Sequence, residues 1–380
     1  MNKTYYFSAP GRTELGGNHT DHQHGCGLAA AIDLSMTAKG VLNESNIIRV
    51  VSQGYAPFEI DLGDLSYREA ERGTTLALVR GIAGEFTRLG VPLQGFNMEV
   101  SSQVLPGSGL SSSAAYEVLI GTIVNHLYFE GKVSQPEIAM IGQYAENVYF
   151  GKPCGLMDQM ASAVGSMVTI DFFDKENPVI EKVDFDFAAC GHALCIIDSR
   201  ASHADLTDEY AAITLELKDI CSHFGKDVLT QIAEADFVAA IPVLREKFGD
   251  RAVLRAYHFY KENARVLKQV AALKNGDFDT FLRLVKESGY SSYMYLQNVI
   301  PAGYREHQDV ALSLSLCETY LGGRGAYRVH GGGFAGTVQA FVPMDILEDF
   351  RKGIDAVLGE GACHVLSIRP HGGVEAYINA

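Results

Sequence analysis

Three stretches of this chain gather groups that do chemistry on phosphates and hydroxyls. The first is Leu105-Pro106-Gly107-Ser108-Gly109-Leu110-Ser111-Ser112-Ser113-Ala114-Ala115. It follows a strand-like run and opens a helical one. Glycines at Gly107 and Gly109 let the backbone curl so that several N–H groups face one anion. The helix start adds unpaired N–H groups and partial positive charge. The hydroxyls of Ser111, Ser112 and Ser113 can bond phosphate oxygens or ligate Mg²⁺. A Walker A loop would end in Gly-Lys-Ser/Thr, and no lysine is present. A dinucleotide fingerprint would need glycine at position 112, which is Ser112. A plain serine-capped helix after a turn is the bland alternative; the proline, the triple serine and the Ala-Ala that follows set this run apart from it.

The second stretch, residues 9–25, is polar and glycine-rich, and it holds Arg12, Glu14, Asn18, His19, Thr20, Asp21, His22 and His24. Such groups converge on polyols, because carboxylate and amide oxygens take hydroxyl protons while N–H groups return the bond. The same His/Asp composition also suits a hydrolytic zinc site, and a solvated polar loop is a further alternative. The third stretch, residues 145–159, carries Glu146 and Asp158 on either side of Gly151–Gly155. It reads as one helix ending near Glu146 and another beginning at Asp158, with one carboxylate free to hold a metal and the other to act as a base. A helix-start acid is the plainer reading of Asp158. Val329-His330-Gly331-Gly332-Gly333-Phe334-Ala335-Gly336 is a second glycine loop, either a turn or a place where backbone meets a ligand.

The elements that must position these groups follow from periodicity. Thr4–Ala9, Ile47–Gln53, Phe96–Ser101, Met167–Phe172, Val179–Phe185 and Leu194–Asp198 have strand character. Thr75–Leu89, Ser112–Tyr128 and Pro136–Phe150 have helical spacing, and Pro136 suits a first turn. Helical stretches follow at Leu206–Phe224, Ala240–Leu273 (broken at Gly249) and Phe278–Gln297. Strands return at Tyr327–His330, Thr337–Val342, His364–Ile368 and Val374–Ile378. The outline is α+β in two halves dividing near residues 175–195.

Bulk properties narrow the partners. With 380 residues and 47% apolar content the chain is long enough for two domains. A net charge of −15 repels nucleic acid and anionic membranes, and it obliges any nucleotide site to carry its own cations. Seven scattered cysteines without a C-x-x-C pair read as a reduced, cytoplasmic protein. No apolar run reaches membrane-spanning length.

In order along the chain, these motifs resemble the GHMP kinases, and galactokinases most closely. Ala9–Asp21 resembles the galactokinase signature A-P-G-R-V-N-L-I-G-E-H-T-D. Pro106–Ala115 resembles the ATP loop, Cys154–Gln159 resembles C-G-I-M-D-Q, and Gly331–Gly336 resembles G-G-G-F-G-G with Ala335 for a glycine. The resemblance implies a two-domain GHMP kinase fold. Residues 1–185 would form a ribosomal protein S5 domain 2-like domain and residues 186–380 a ferredoxin-like one, with ATP and sugar in the cleft between them. It further implies phosphate binding by Gly107, Ser108, Gly109, Leu110, Ser111, Ser112 and Ser113, and Mg²⁺ at Ser113 and Glu146. Catalysis would fall to Arg12 and Asp158, and sugar contacts to Asn18, His19, Thr20, Asp21 and Tyr210. The implied reaction is phosphorylation of galactose at its anomeric hydroxyl.

The sequence departs from the galactokinase pattern at Asn18, where the family has Glu, and at Glu14 and His22-Gln23. An amide at position 18 would tolerate a sugar carrying a C6 carboxylate, and the Asp-His-Gln string resembles galacturonokinases. A C6- or C2-modified galactose is therefore the alternative substrate. A non-catalytic sugar- and ATP-binding regulator is the alternative class, opposed by the presence of both Arg12 and Asp158.

Overall fold

The first strand does not stop where its β-branched residues do. It runs from Thr4 to Gly16 because a long partner, Cys26–Leu42, lies antiparallel to it, pairing Arg12 with Ala31, Thr13 with Ala30 and Glu14 with Ala29. Arg12 and Glu14 therefore sit on a strand where the sequence reads as loop. The partner hides its own strand character. Residues 26–32 are buried on both faces, so small and apolar residues follow one another without the alternation that marks a half-buried strand.

The computed structural model describes residues 3–104, 109–174, 176–201 and 206–375. In chain order the first half holds β1 (Thr4–Gly16), β2 (Cys26–Leu42), β3 (Ile47–Ser52), β4 (Phe58–Asp61), α1 (Thr75–Arg88), β5 (Phe96–Ser102) and α2 (Ser112–Phe129). It continues with α3 (Gln135–Tyr144), α4 (Met157–Val164), β6 (Met167–Asp171) and β7 (Val179–Lys182). The second half holds β8 (His192–Asp198), α5 (Thr207–His223), α6 (Glu234–Lys274), α7 (Phe278–Ser291), α8 (Asp309–Leu321), β9 (Ala326–His330) and β10 (Thr337–Pro343). It ends with α9 (Leu347–Leu358), β11 (Cys363–Leu366) and β12 (Val374–Glu375). Gly249 breaks α6 at φ 84°, a conformation glycine adopts without strain.

The strands form two sheets. One has eight strands with the path β12-β1-β2-β5-β3-β4, while β6 pairs with the start of β2 and β7 with β6. The other is antiparallel with order β11-β8-β10-β9. This is a mixed helix-and-sheet α+β architecture, as expected. The last strand returns to the first sheet, where Val374 faces Ser8.

One hydrophobic core runs through the contact between the halves. It joins β1, β2 and α2 residues to Val266 of α6, Phe281 of α7 and Phe341 of β10. The rings of Phe187, Phe281 and Phe341 meet at 5.1–5.9 Å between centroids. Each such ring contributes roughly 1.5–3 kcal/mol by leaving water, which holds these elements against one another. No helix among the described residues is long and apolar enough to cross a membrane.

Candidate active site

Arg12 and Asp158, 146 residues apart, meet in a two-pronged ion pair. Arg12 Nε donates to Asp158 Oδ1 and Nη2 to Oδ2, each at 2.6 Å. β1 carries the arginine and the first turn of α4 carries the aspartate. Ser162 of α4 donates to the Pro10 carbonyl at 2.7 Å, which holds helix and strand together beneath the pair. The Arg12 side chain is 8% exposed and that of Asp158 is 32% exposed, so the carboxylate is partly open to solvent. Burial alone would raise the Asp158 carboxyl. The charge of Arg12 and the hydrogen bonds from Arg12 and Ser111 outweigh it and hold the group below the ordinary carboxylate range.

The glycine loop closes over this pair. Gly109 O accepts from Arg12 Nη1, and Leu110 O accepts from Arg12 N at 3.0 Å. Ser111 takes a left-handed conformation (φ 57°, ψ 66°) just before α2 and leaves the helix end without a side-chain cap. Its hydroxyl donates instead to Asp158 Oδ2 at 2.7 Å. Such backbone costs a non-glycine residue on the order of 1 kcal/mol or more, and here it aims the hydroxyl at the carboxylate. The N–H groups at the start of α2 are uncapped, and no acidic residue stands in its first turn. That end is suited to an anion. Ser112 and Ser113 form its first turn and are half-buried. Gly107 and Ser108 lie outside the described residues.

Glu146 sits in a π-helical turn, Ala145–Phe150, that continues α3 and turns the carboxylate inward. Its Oε1 accepts from Lys152 Nζ at 3.2 Å and its Oε2 from Gln159 Nε2 at 2.8 Å. Gln159 Nε2 also donates to Glu117 Oε2 at 2.9 Å. Burial, with the Glu146 charge behind it, pushes the Glu117 carboxyl well above the usual range. Glu117 lies one turn along α2 from Ser113 on the same helix face. Glu117 Oε1 and Gln159 Oε1 are buried without a partner. Oxygen donors of this kind suit Mg²⁺.

The sugar-loop candidates divide into two kinds. Asn18 is fully buried. Its Nδ2 donates to Glu14 at 3.2 Å and to Gly331 O at 2.6 Å, and its Oδ1 accepts from Ser292 Oγ and Asn298 Nδ2. Every bonding position of the amide is thus filled by protein. Thr20 is also fully buried and donates to Gly17 O and Cys26 O. His19 and Asp21 reach further out. Asp21 lies over Gly155, where a Cβ would overlap its carboxylate, and its charge acts on Arg12. His19 Nε2 donates to Gly332 O at 3.1 Å. Burial, followed by the charge of His22, lowers its pKa to about 3, so the ring is neutral at pH 7. Tyr210 donates to Gly333 O at 2.9 Å.

The second glycine loop is therefore fastened by Asn18, His19 and Tyr210 through three successive carbonyls. Gly331 also lies against Gly109 O of the first loop. Among the described residues no group of three or more His, Cys, Asp or Glu side chains is placed to hold a metal ion, and the zinc reading of residues 19–24 has no cluster to rest on.

Comparison with known proteins follows the same lines. The GHMP kinases N terminal domain matches residues 77–166, and the galactokinase galactose-binding signature matches residues 2–40. The galactokinase of Actinobacillus pleuropneumoniae serotype 3 is 31% identical over 347 residues, covering 90% of this chain and 86% of its own length. That of Glaesserella parasuis serovar 5 is 30% identical over 355 residues, with coverage of 90% and 86%. The chain belongs to the galactokinase family. It is a sugar kinase, and its family implies use of ATP. The solved Lactococcus lactis galactokinase complexed with galactose superposes with a TM-score of 0.84 at 24% identity, covering 98% of this chain and 95% of that one. The two share the GHMP kinase fold.

Several groups in this galactokinase-family site carry no sequence signal that marks them. Lys152 brings an ammonium to Glu146. His330 accepts the Glu14 N–H at Nε2 and so carries its proton on Nδ1, toward Thr337. Burial first, then the charge of Arg12, keeps it neutral. Arg328, buried and paired with Glu14, explains why an acid is stable at position 14. Only the glycines that follow His330 hint at such close packing.

Proposed function

We propose that this chain transfers the γ-phosphoryl group of ATP to the anomeric C1 hydroxyl of galactose, giving galactose 1-phosphate and ADP. The observation that carries the reading is the Arg12–Asp158 pair, partly open to solvent and bonded by Gly109, Leu110 and Ser111 just before α2. Asp158 Oδ2 already accepts from both Arg12 and Ser111. Oδ1 accepts only from Arg12 Nε, so Oδ1 is the atom left to take the sugar's hydroxyl proton. Arg12 keeps that carboxylate ionised and places positive charge where the phosphoryl group is transferred.

The uncapped N–H groups at the start of α2, with Gly109, Leu110 and the hydroxyls of Ser111 and Ser112, would cradle the phosphates. Ser113 and Glu146 would hold Mg²⁺, which when bound neutralises the charge on the β- and γ-phosphates. His19, Asp21 and Tyr210 would face the sugar. Asn18 and Thr20 shape the loop from behind rather than reach out of it. A C6-carboxylate substrate loses its support for that reason. The amide at position 18 is spent on Glu14 and Gly331, and neutral His19 adds no charge.

The test is ATP-dependent turnover of a sugar panel with product identified by ³¹P and ¹H NMR. Galactose 1-phosphate is the expected product. Turnover of galacturonate with none of galactose would contradict the reading.

A further inference from the structure

The sugar loop is held from behind by one helix of the other half of the molecule. Four side chains on one face of α6 bond five main-chain groups between residues 15 and 26. Glu262 Oε1 accepts from Gly17 N at 3.2 Å and Asn18 N at 3.4 Å. His258 Nε2 donates to Asn18 O at 3.0 Å. Asn263 Oδ1 accepts from Cys26 N at 2.6 Å, and Gln269 Nε2 donates to Leu15 O at 3.4 Å. His258, Glu262 and Gln269 recur at helical spacing and are fully buried. Each is itself fixed. Ser291 of α7 donates to His258 Nδ1 at 2.8 Å, which leaves the proton on Nε2 for the Asn18 carbonyl. Ser288 donates to Glu262 Oε1 at 2.6 Å, and Arg265 pairs with Oε2.

The loop needs such a hold. His19 (φ 59°) and His24 (φ 56°) both take left-handed backbone without being glycine. Strain of that kind persists only where the surroundings over-determine it. Asn18 is the residue gripped at both N–H and C=O, and it directly precedes His19. We propose that His258 and Glu262 are positioning residues for the sugar: they lock the Asn18 peptide groups and so set the presentation of His19 and Asp21 to the substrate. This rests on the reading of residues 19–21 as the sugar bed. It places a determinant of sugar affinity on α6, behind the loop rather than in it.

The experiment compares the full-length wild type with His258→Leu, which removes the donor, and His258→Gln, which can return an N–H to the same carbonyl. Steady-state kinetics are combined with deuterium uptake at residues 15–25. His258→Leu should raise the sugar KM about tenfold, with kcat and the ATP KM within about threefold of wild type. Uptake in the loop should rise while that of α2 does not, and His258→Gln should recover most of both effects. An unchanged sugar KM and loop uptake in His258→Leu, or a His258→Gln no better than it, would overturn the proposal. If His258→Leu does not fold, Ser291→Ala decides, since it removes only the hydroxyl that orients the ring. A smaller rise in sugar KM is expected, and no rise overturns the inference. Should wild type fail to phosphorylate galactose, the functional reading falls, but the loop uptake still tests the clamp.

Discussion

At the scale of single residues, Asp158 carries the heaviest burden. Asp158→Asn removes the proposed proton acceptor while keeping shape. It should lower kcat by about 10²–10⁴-fold and leave ATP binding, read by calorimetry, nearly intact. Retention of wild-type turnover would remove Asp158 from the role of base. Because Arg12 holds this carboxyl below its usual range, its charged form persists until pH falls through that lowered value. A pH profile of kcat/KM should therefore show no loss attributable to Asp158 between about pH 8 and pH 5. Asn18 makes the contrasting case. Asn18→Glu would bury a second carboxylate beside Glu14 and Glu262 and break the bonds to Gly331, Ser292 and Asn298, and should lower stability by about 2 kcal/mol or more. Thermal melting checks this. A stable variant with an altered sugar preference would return Asn18 to the substrate site. The family motifs at Ala9–Asp21 and Cys154–Gln159 pointed to Arg12 and Asp158, which the fold brings together; residue type alone left Asp158 readable as a helix-start acid, and it could not have shown their pairing. It could not say which way Asn18 faces, because an amide serves a ligand and a buried network equally well.

At the scale of elements, the site is made by backbone that departs from regular structure at chosen points. The π-helical turn points Glu146 inward, left-handed Ser111 spends its hydroxyl on Asp158, and Gly155 admits Asp21. Gly155→Ala places a methyl into the Asp21 carboxylate. It should raise the sugar KM about tenfold and cost about 1–3 kcal/mol in a melting experiment. Wild-type values for both would mean that Asp21 does not rest on Gly155. The helices that frame the site were legible because their apolar faces repeat at helical spacing and their ends carry recognisable signals. One is Pro136 in the first turn of α3; another is the break at Gly249. The first part of β2 was not legible, because burial of residues 26–32 on both faces erases alternation, and in residues 36–40, where burial does alternate, the inward positions Met36, Ala38 and Gly40 are weak strand formers. The continuation of β1 through Arg12 was hidden for the same reason, since its partner is β2.

At the scale of the whole molecule, the two halves are joined by a shared core and by buried charge. Glu262 of α6 bonds the β1–β2 loop. Burial opposes its ionisation, but Arg265, His258, Arg328 and Ser288 together lower its pKa from 4.5 to about 2. A lowered carboxyl contributes stability above its unfolded value and loses it as pH falls through the folded one. Wild type should therefore exceed Glu262→Gln in unfolding free energy by on the order of 3 kcal/mol at pH 7, with the gap narrowing between about pH 4.5 and pH 2. Urea titrations across that range check it; a gap independent of pH would contradict the assignment. With a net charge of −15 the proposed nucleotide site needs local positive charge, which Arg12, Lys152 and the start of α2 would supply. The most direct measurement of the whole account is the product formed from galactose and ATP by wild type and by Asp158→Asn. The account predicts phosphate on the C1 oxygen from wild type and essentially none from the variant. Phosphate on another hydroxyl, or equal product from both proteins, would contradict it.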